Sequence, residues 1–394
     1  MNRRRFIKNT GVIGLGLAAA PLLLQACRKD ELNINFSGKV IIIGAGSAGM
    51  MAAYRLKNFG IDFEIIEASG DFGGRVKMHD QLADFPIDLG AEWIHSEPNV
   101  FSRLIDDSSA SGEIDLIPYQ YETIYFWKNG ELTPQNWTHP FYGEYKFKST
   151  TWYQFFEEHI IPEIQDKITY NSPVTAIDHS EGQVHVSTQD GNVRTADRAI
   201  ITVPLNILKD ELIEFDPALP ATWLDSLALT NQPPGIKAFL RFSEKFYPDA
   251  IVDRNIAAEG GAERLYYDAA FKKDSDDHVL ALFTVGDEAT FFTDLDSDQE
   301  VLDAILGELD LMFDGQASAL FIEGVVQNWE KEPWIRGSYS FNTPNNNQTI
   351  TTLNVPINGK LFFAGEALYQ PSPATVHGAG FSGIDTAERV LLTE

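Results

Sequence analysis

Residues 39–67 constrain this chain more than any other stretch. Residues 39–43 (KVIII) form a short apolar run bounded by turn residues, the pattern of a strand buried in a parallel sheet. Gly44-Ala45-Gly46-Ser47-Ala48-Gly49 follows directly, residues 50–59 read as a helix, and Gly60 closes it. A second strand at residues 63–66 then delivers Glu67, 23 positions after Gly44. A lone Gly-x-Gly-x-x-Gly says little, but strand, glycines, helix, strand and acid in this order predict a dinucleotide-binding βαβ unit. Gly44 permits the tight turn, Gly46 lets backbone approach a pyrophosphate, and Gly49 lets helix and strand pack closely. The helix N-terminus around Ser47 offers unpaired N–H groups to phosphate. Glu67 is placed to accept ribose hydroxyl protons, which disfavours a 2′-phosphate.

Length and charge narrow the partners. A chain of 394 residues is too long for one simple core, so two domains around a shared cleft are expected. Acidic residues outnumber basic ones 57 to 30, and the net charge of −27 repels nucleic acid and attracts cations. Cys27 is the single cysteine, so neither an internal disulfide nor a cysteine-based metal site can form, and the scattered histidines predict no metal. The N-terminus reads as an address. MNRRRFIK precedes an apolar segment, residues 10–26, well short of the roughly 20 residues that span a bilayer. Arg3-Arg4-Arg5-Phe6-Ile7-Lys8 resembles a twin-arginine export signal, and Leu24-Gln25-Ala26-Cys27 resembles a bacterial lipoprotein cleavage box. These residues predict a signal peptide over 1–26, a polar linker over 27–36, and an exported, periplasmic or cell-envelope protein whose only membrane attachment is a lipid on Cys27.

Further motifs carry a family resemblance. Asp71-Phe72-Gly73-Gly74-Arg75-Val76 puts a glycine pair and an arginine soon after the acid, where a cation can meet the pyrophosphate. Asp88-Leu89-Gly90-Ala91-Glu92-Trp93-Ile94-His95, the PVTAI of residues 173–177, Leu361-Phe362-Phe363-Ala364-Gly365-Glu366 and Thr375-Val376-His377-Gly378-Ala379 follow in order. Together they resemble the flavin-dependent amine oxidases, with TVHGA and WIRGSYS most similar to polyamine oxidases and histone-lysine demethylases. The resemblance implies an α/β fold, in which a Rossmann-like FAD domain (residues 37–84, 172–233 and 342–394) is interleaved with a substrate domain of mixed sheet plus helices (residues 85–171 and 234–341). It implies FAD contacts at Gly90, Ala91, Glu92, Val174, Trp334, Gly365, Glu366 and Val376, beside Gly44, Gly46, Ser47, Gly49, Glu67, Gly74 and Arg75. No cysteine stands where monoamine oxidases bond FAD, so FAD is expected to be held non-covalently. Small residues Gly378, Ala379 and Gly380 would let a flat ring approach the last helix, whose positive end favours negative charge on the reduced flavin.

The expected chemistry is hydride transfer from an amine α-carbon to flavin N5, giving an imine that hydrolyses to an aldehyde, with O2 reduced to H2O2. Lys237, in the apolar stretch QPPGIKAFLRF, resembles the family lysine that holds a water against N5. Tyr339 would form one wall of a substrate cage on a strand carrying WIRGSYS, with Thr375 opposite where monoamine oxidases place a second tyrosine. His95 would meet a substrate nitrogen. Only 77 residues separate His95 from Pro173, so the helical part of the substrate domain is trimmed. Polyamines or other primary and secondary amines are the favoured substrates. An L-amino-acid oxidase would need an arginine such as Arg241 or Arg336 in the pocket. A C–C desaturase would leave the Lys237 and Tyr339 matches without a role, and a non-catalytic envelope lipoprotein would not need an intact flavin site.

Overall fold

A computed structural model describes residues 34, 36–107, 110–135, 144–255, 263–341 and 346–393. The export and lipid motifs, Cys27 included, lie outside these residues.

The apolar run at the start of the described chain becomes the central strand, Val40–Ile43, of a five-stranded parallel sheet. Phe63–Ile66 and then Ile168–Thr169 extend the sheet on one side, Arg198–Ile201 and Leu361–Phe363 on the other. Both faces of the central strand are buried, which is why the run shows no alternation. Helix Ser47–Asn58 covers one face and packs against the C-terminal helix Val376–Leu392. The approach is close because Gly383 has no side chain: a Cβ there would stand 2.0 Å from the Ala48 carbonyl oxygen. A four-stranded sheet, with Val174–Asp178 and Val184–Thr188 as its inner pair, lies over the other face.

The second body is a seven-stranded mixed sheet in the order Phe321–Asn328, Gly235–Phe242, His278–Val285, Glu263–Asp268, Ala250–Asp253, Ile124–Lys128 and Glu131–Gln135. Strand alternation divides its two faces. Ile236, Ala238, Leu240 and Phe242 pack under helix Asp298–Met312, whose Val301, Leu302, Ile305 and Leu309 form the apolar stripe. Lys237 and Phe239 therefore point the opposite way, toward the parallel-sheet body. The architecture is the expected α/β one, a Rossmann-like sheet joined to a mixed sheet with helices. Strand Ile168–Thr169 belongs to the parallel sheet although it falls within residues 85–171. Among the described residues no helix is long and apolar enough to cross a membrane, and no group of three or more potential ligands could hold a metal ion.

Candidate active site

One cavity of about 460 Å³ runs between the two bodies. Its nucleotide end is built by the glycine turn. Gly44 has φ 102°, a conformation that side-chain-bearing residues rarely adopt, and it lets the chain leave the strand and enter the helix at once. Gly46 caps that helix without a side-chain hydrogen bond, so the first-turn N–H groups are left for an anion. The second glycine pair closes over the first: a Cβ on Gly74 would lie 3.6 Å from the Gly46 Cα. Glu67 is buried, and its carboxylate accepts from the Ala45 amide (2.6 Å), the Ser69 amide (2.8 Å) and the Ser69 hydroxyl (2.7 Å). About four acceptor positions exist on a carboxylate, so one remains for a ligand hydroxyl. Arg75 lines the same cavity and donates to Glu366 (2.9 Å) and to the Ser338 carbonyl (2.6 Å). Glu366 also accepts from the Ser340 amide and hydroxyl and the Ala374 amide, which ties three loops around the cavity together. A cradle bare of Cβ atoms, an uncapped helix N-terminus, a cation and a buried acid fit a dinucleotide pyrophosphate and ribose.

The other end is aromatic. Lys237 and Phe283 are register partners on neighbouring strands, so both face the cavity. Trp93 meets Phe283 edge-on at 5.2 Å, and the Tyr339 ring lies parallel to Phe283 at 6.4 Å. His95 lines the same end with Nδ1 3.0 Å from Glu144 Oε1. His377 lies behind this wall, where burial, with the charges of His95 and Arg103 nearby, pushes it down to about 3 and keeps it neutral.

Beneath the aromatic end lies a buried charge cluster. Lys237 Nζ donates to the Asp88 carbonyl (2.8 Å), the Gly90 carbonyl (3.1 Å) and Glu92 Oε2 (2.8 Å). Lys146 Nζ sits 2.5 Å from Glu92 Oε1, and the Tyr267 hydroxyl donates to Oε2. Burial alone would raise the Glu92 carboxyl, but the charges and hydrogen bonds of Lys146 and Lys237 overcome it and hold it well below the usual carboxylate range. Burial lowers Lys237 against the pull of Glu92. Burial, reinforced by the Glu92 charge, raises the Asp88 carboxyl to about 8.

Residues 47–146 and 153–391, which hold both ends of the cavity, match the family model for flavin containing amine oxidoreductases. The chain belongs to this family. As a flavin amine oxidoreductase it is 25% identical over 479 aligned positions to polyamine oxidase 1 of Zea mays, spanning 96% of this chain and 95% of that protein. It is 27% identical to polyamine oxidase 5 of Oryza sativa subsp. japonica, over 95% of this chain and 91% of the relative. It is also 25% identical to human lysine-specific histone demethylase 2, of which it spans 56%. Wild-type putrescine oxidase bound to putrescine shares the fold at 17% identity, with a TM-score of 0.73 over 89% of this chain and 98% of that one. Membership implies FAD as cofactor, in keeping with the cradle.

Of the residues expected from the sequence to act in catalysis or contact FAD, all but Gly49 line the oxidoreductase cavity, and of the three small residues of the last helix only Ala379 does. Gly49 does not: a Cβ there would meet the Gly44 carbonyl at 1.9 Å, so its lack of a side chain serves helix–strand packing. Gly378 and Gly380 are likewise packing positions, tight against the Ser372 carbonyl and the Leu104 side chain, and Val376 and Ala379 are what the last helix shows to the cavity. The stretch 334–339 is not a strand. Arg336 (φ 56°) and Gly337 (φ 141°) bend it into a turn, and Tyr339 reaches the cavity from a loop. Thr375 stands at the cavity, but its hydroxyl caps the last helix, accepting from the Gly378 amide (3.0 Å) and donating to the Ser372 carbonyl (2.8 Å). Phe283, Trp93 and Lys146 were missed. Phe283 was readable in principle, since residues 278–285 (HVLALFTV) form a second apolar run of strand length after the one bearing Lys237.

Proposed function

We propose that this amine oxidoreductase oxidises cationic primary or secondary amines, with di- and polyamines favoured, using non-covalent FAD and passing the electrons to O2. The observation that carries the reading is Lys237 held in the cavity face of the mixed sheet beside the Phe283, Trp93 and Tyr339 rings. Bound FAD would supply the two-electron acceptor for the amine α-C–H. The chain's own residues do the rest. The aromatic rings exclude water and offer π faces that guide an ammonium inward. His95, its Nδ1 paired with Glu144, would offer its other ring nitrogen as a hydrogen-bond partner to a substrate nitrogen. Glu67, Arg75 and the amides following Gly46 would hold ribose and pyrophosphate, leaving the flavin end to the aromatic wall. Cys27 is the only cysteine in the chain, which supports a cofactor without a thioether link. The N-terminal motifs support export and lipid attachment at Cys27.

An L-amino-acid oxidase is disfavoured by where the arginines lie. Arg336 pairs with Asp210 and Arg241 with Glu323, and neither lines the cavity, while Arg75 is assigned above to the pyrophosphate. The deciding experiment is anaerobic mixing with a panel of amines while the flavin absorbance is followed. Polyamines should bleach it, with colour and peroxide returning on admission of air. A yellow protein that no amine bleaches would overturn the reaction assigned here, and bleaching by L-amino acids alone would replace it with the alternative.

A further inference from the structure

The buried cluster holds two lysines and one carboxylate held as an anion. Glu92 lies between Lys146 and Lys237 with one oxygen turned to each, at 2.5 and 2.8 Å. All three side chains are nine-tenths or more buried. A single carboxylate neutralises a single ammonium, and an uncompensated charge in such a place is costly. The two lysines are not equivalent. Lys146 is turned away from the cavity and is boxed by the ring faces of Tyr119 (5.3 Å) and Tyr267 (4.8 Å), which favour a cation. Lys237 lines the cavity, and its three N–H donors are all taken by Asp88, Gly90 and Glu92. As an ammonium so bound it has no donor left for anything in the cavity.

We propose that Lys146 is a positioning residue for amine oxidation: by holding Glu92 Oε1 from the side away from the cavity, it makes Lys237 the member of the pair that can lose its proton to solvent and turn toward the cavity. The proposal rests on the reading that Lys237 works at the flavin end of the cavity. The titratable groups around Lys237 are Asp88 and Glu92 from the segment that begins at strand Ile87–Asp88, and Lys146 from strand Tyr145–Phe147 with Tyr119 beside it. Tyr267 from strand Glu263–Asp268 and Lys273 beyond it complete the set. Of these, Lys146 is the cation fixed on the same carboxylate. Removing it leaves Lys237 as the one cation paired with Glu92, beside the neutral Tyr267 hydroxyl, and should make Lys237 more basic.

The test is a pH titration of 13Cε-lysine resonances on the protein as purified, with the Lys237 signal assigned by its loss in Lys237→Met. In Lys146→Met the Lys237 midpoint should rise by about one pH unit, a tenfold gain in proton affinity. Glu92→Gln should move it the other way. The pH profile of flavin reduction should shift upward with the NMR midpoint in Lys146→Met, with KM for the amine little changed, and Lys146→Arg, which keeps the charge, should restore it. An unmoved Lys237 midpoint in Lys146→Met sinks the proposal, and where that variant does not fold, an unmoved midpoint in Glu92→Gln does the same. If no amine reduces the wild-type flavin, the assigned reaction fails while the NMR arm still decides the role of Lys146.

Discussion

Asp88 carries a carboxyl that burial and the neighbouring Glu92 charge push up to about 8, and its Oδ1 has no hydrogen-bond partner among the described residues. Unfolded, such a group titrates near 4. Between roughly pH 4 and 8 the folded protein therefore binds a proton that the unfolded chain does not. The resulting stability is fully present below the unfolded pKa and is lost as pH rises through the folded one. Asp88→Asn removes that loss. In denaturant titrations at pH 5 and pH 8, the wild type should lose at least about 1.4 kcal/mol more than the variant, the equivalent of a single pH unit. Equal losses would mean that Asp88 is ionised in the folded protein. Little of this was legible in the sequence. Asp88 and Glu92 sit in one readable motif, but Lys146 lies 54 positions after Glu92 and Lys237 a further 91, and no local pattern marks two distant lysines as sharing a carboxylate.

At the scale of elements the division is similar. The strand, glycine turn, helix and acid over residues 40–67 were readable because every cue is local: an apolar run, positive-φ glycines, an acid at fixed distance. The helix begins at Ser47 and not at residue 50, since the uncapped glycine turn is itself its first turn. The segment 334–339 misled because Arg336 adopts a left-handed conformation that its residue type does not announce. Thr375 carried a readable cap signal, a threonine ahead of an apolar helical run, and the cap is what its hydroxyl does. Packing of the two long helices yields a further expectation. Gly383→Val would force a side chain into the Ala48 carbonyl, 2.0 Å from its Cβ, and push the helices apart. Overpacking of this kind costs about 1–3 kcal/mol, visible as a lower denaturation midpoint. Because Ala48 lines the cavity, the variant should also hold flavin more weakly by equilibrium dialysis. An unchanged midpoint would show that the helix pair yields there more easily than a close-packed contact should.

Over the whole molecule the net charge of −27 sets a negative field. Cationic substrates are steered by such a field, and salt screens it, with a Debye length of about 8 Å at physiological ionic strength. For a polyamine, kcat/KM should fall about threefold or more as salt rises from roughly 20 to 300 mM, with kcat unmoved and a smaller fall for a monoamine. A flat response would leave the charge with solubility alone. The order of strands in the parallel sheet has one more consequence. Strand Leu361–Phe363 and the helix Val376–Leu392 are made long after the glycine turn they complete, and Val376 and Ala379 are cavity wall. During synthesis the glycine turn therefore precedes by some three hundred residues the strand and helix that complete its cavity, and the helix face they cover stays open until residues 361–392 are made. A chain cut short before Val376 would lack this wall of the cavity and should fail to retain flavin on desalting.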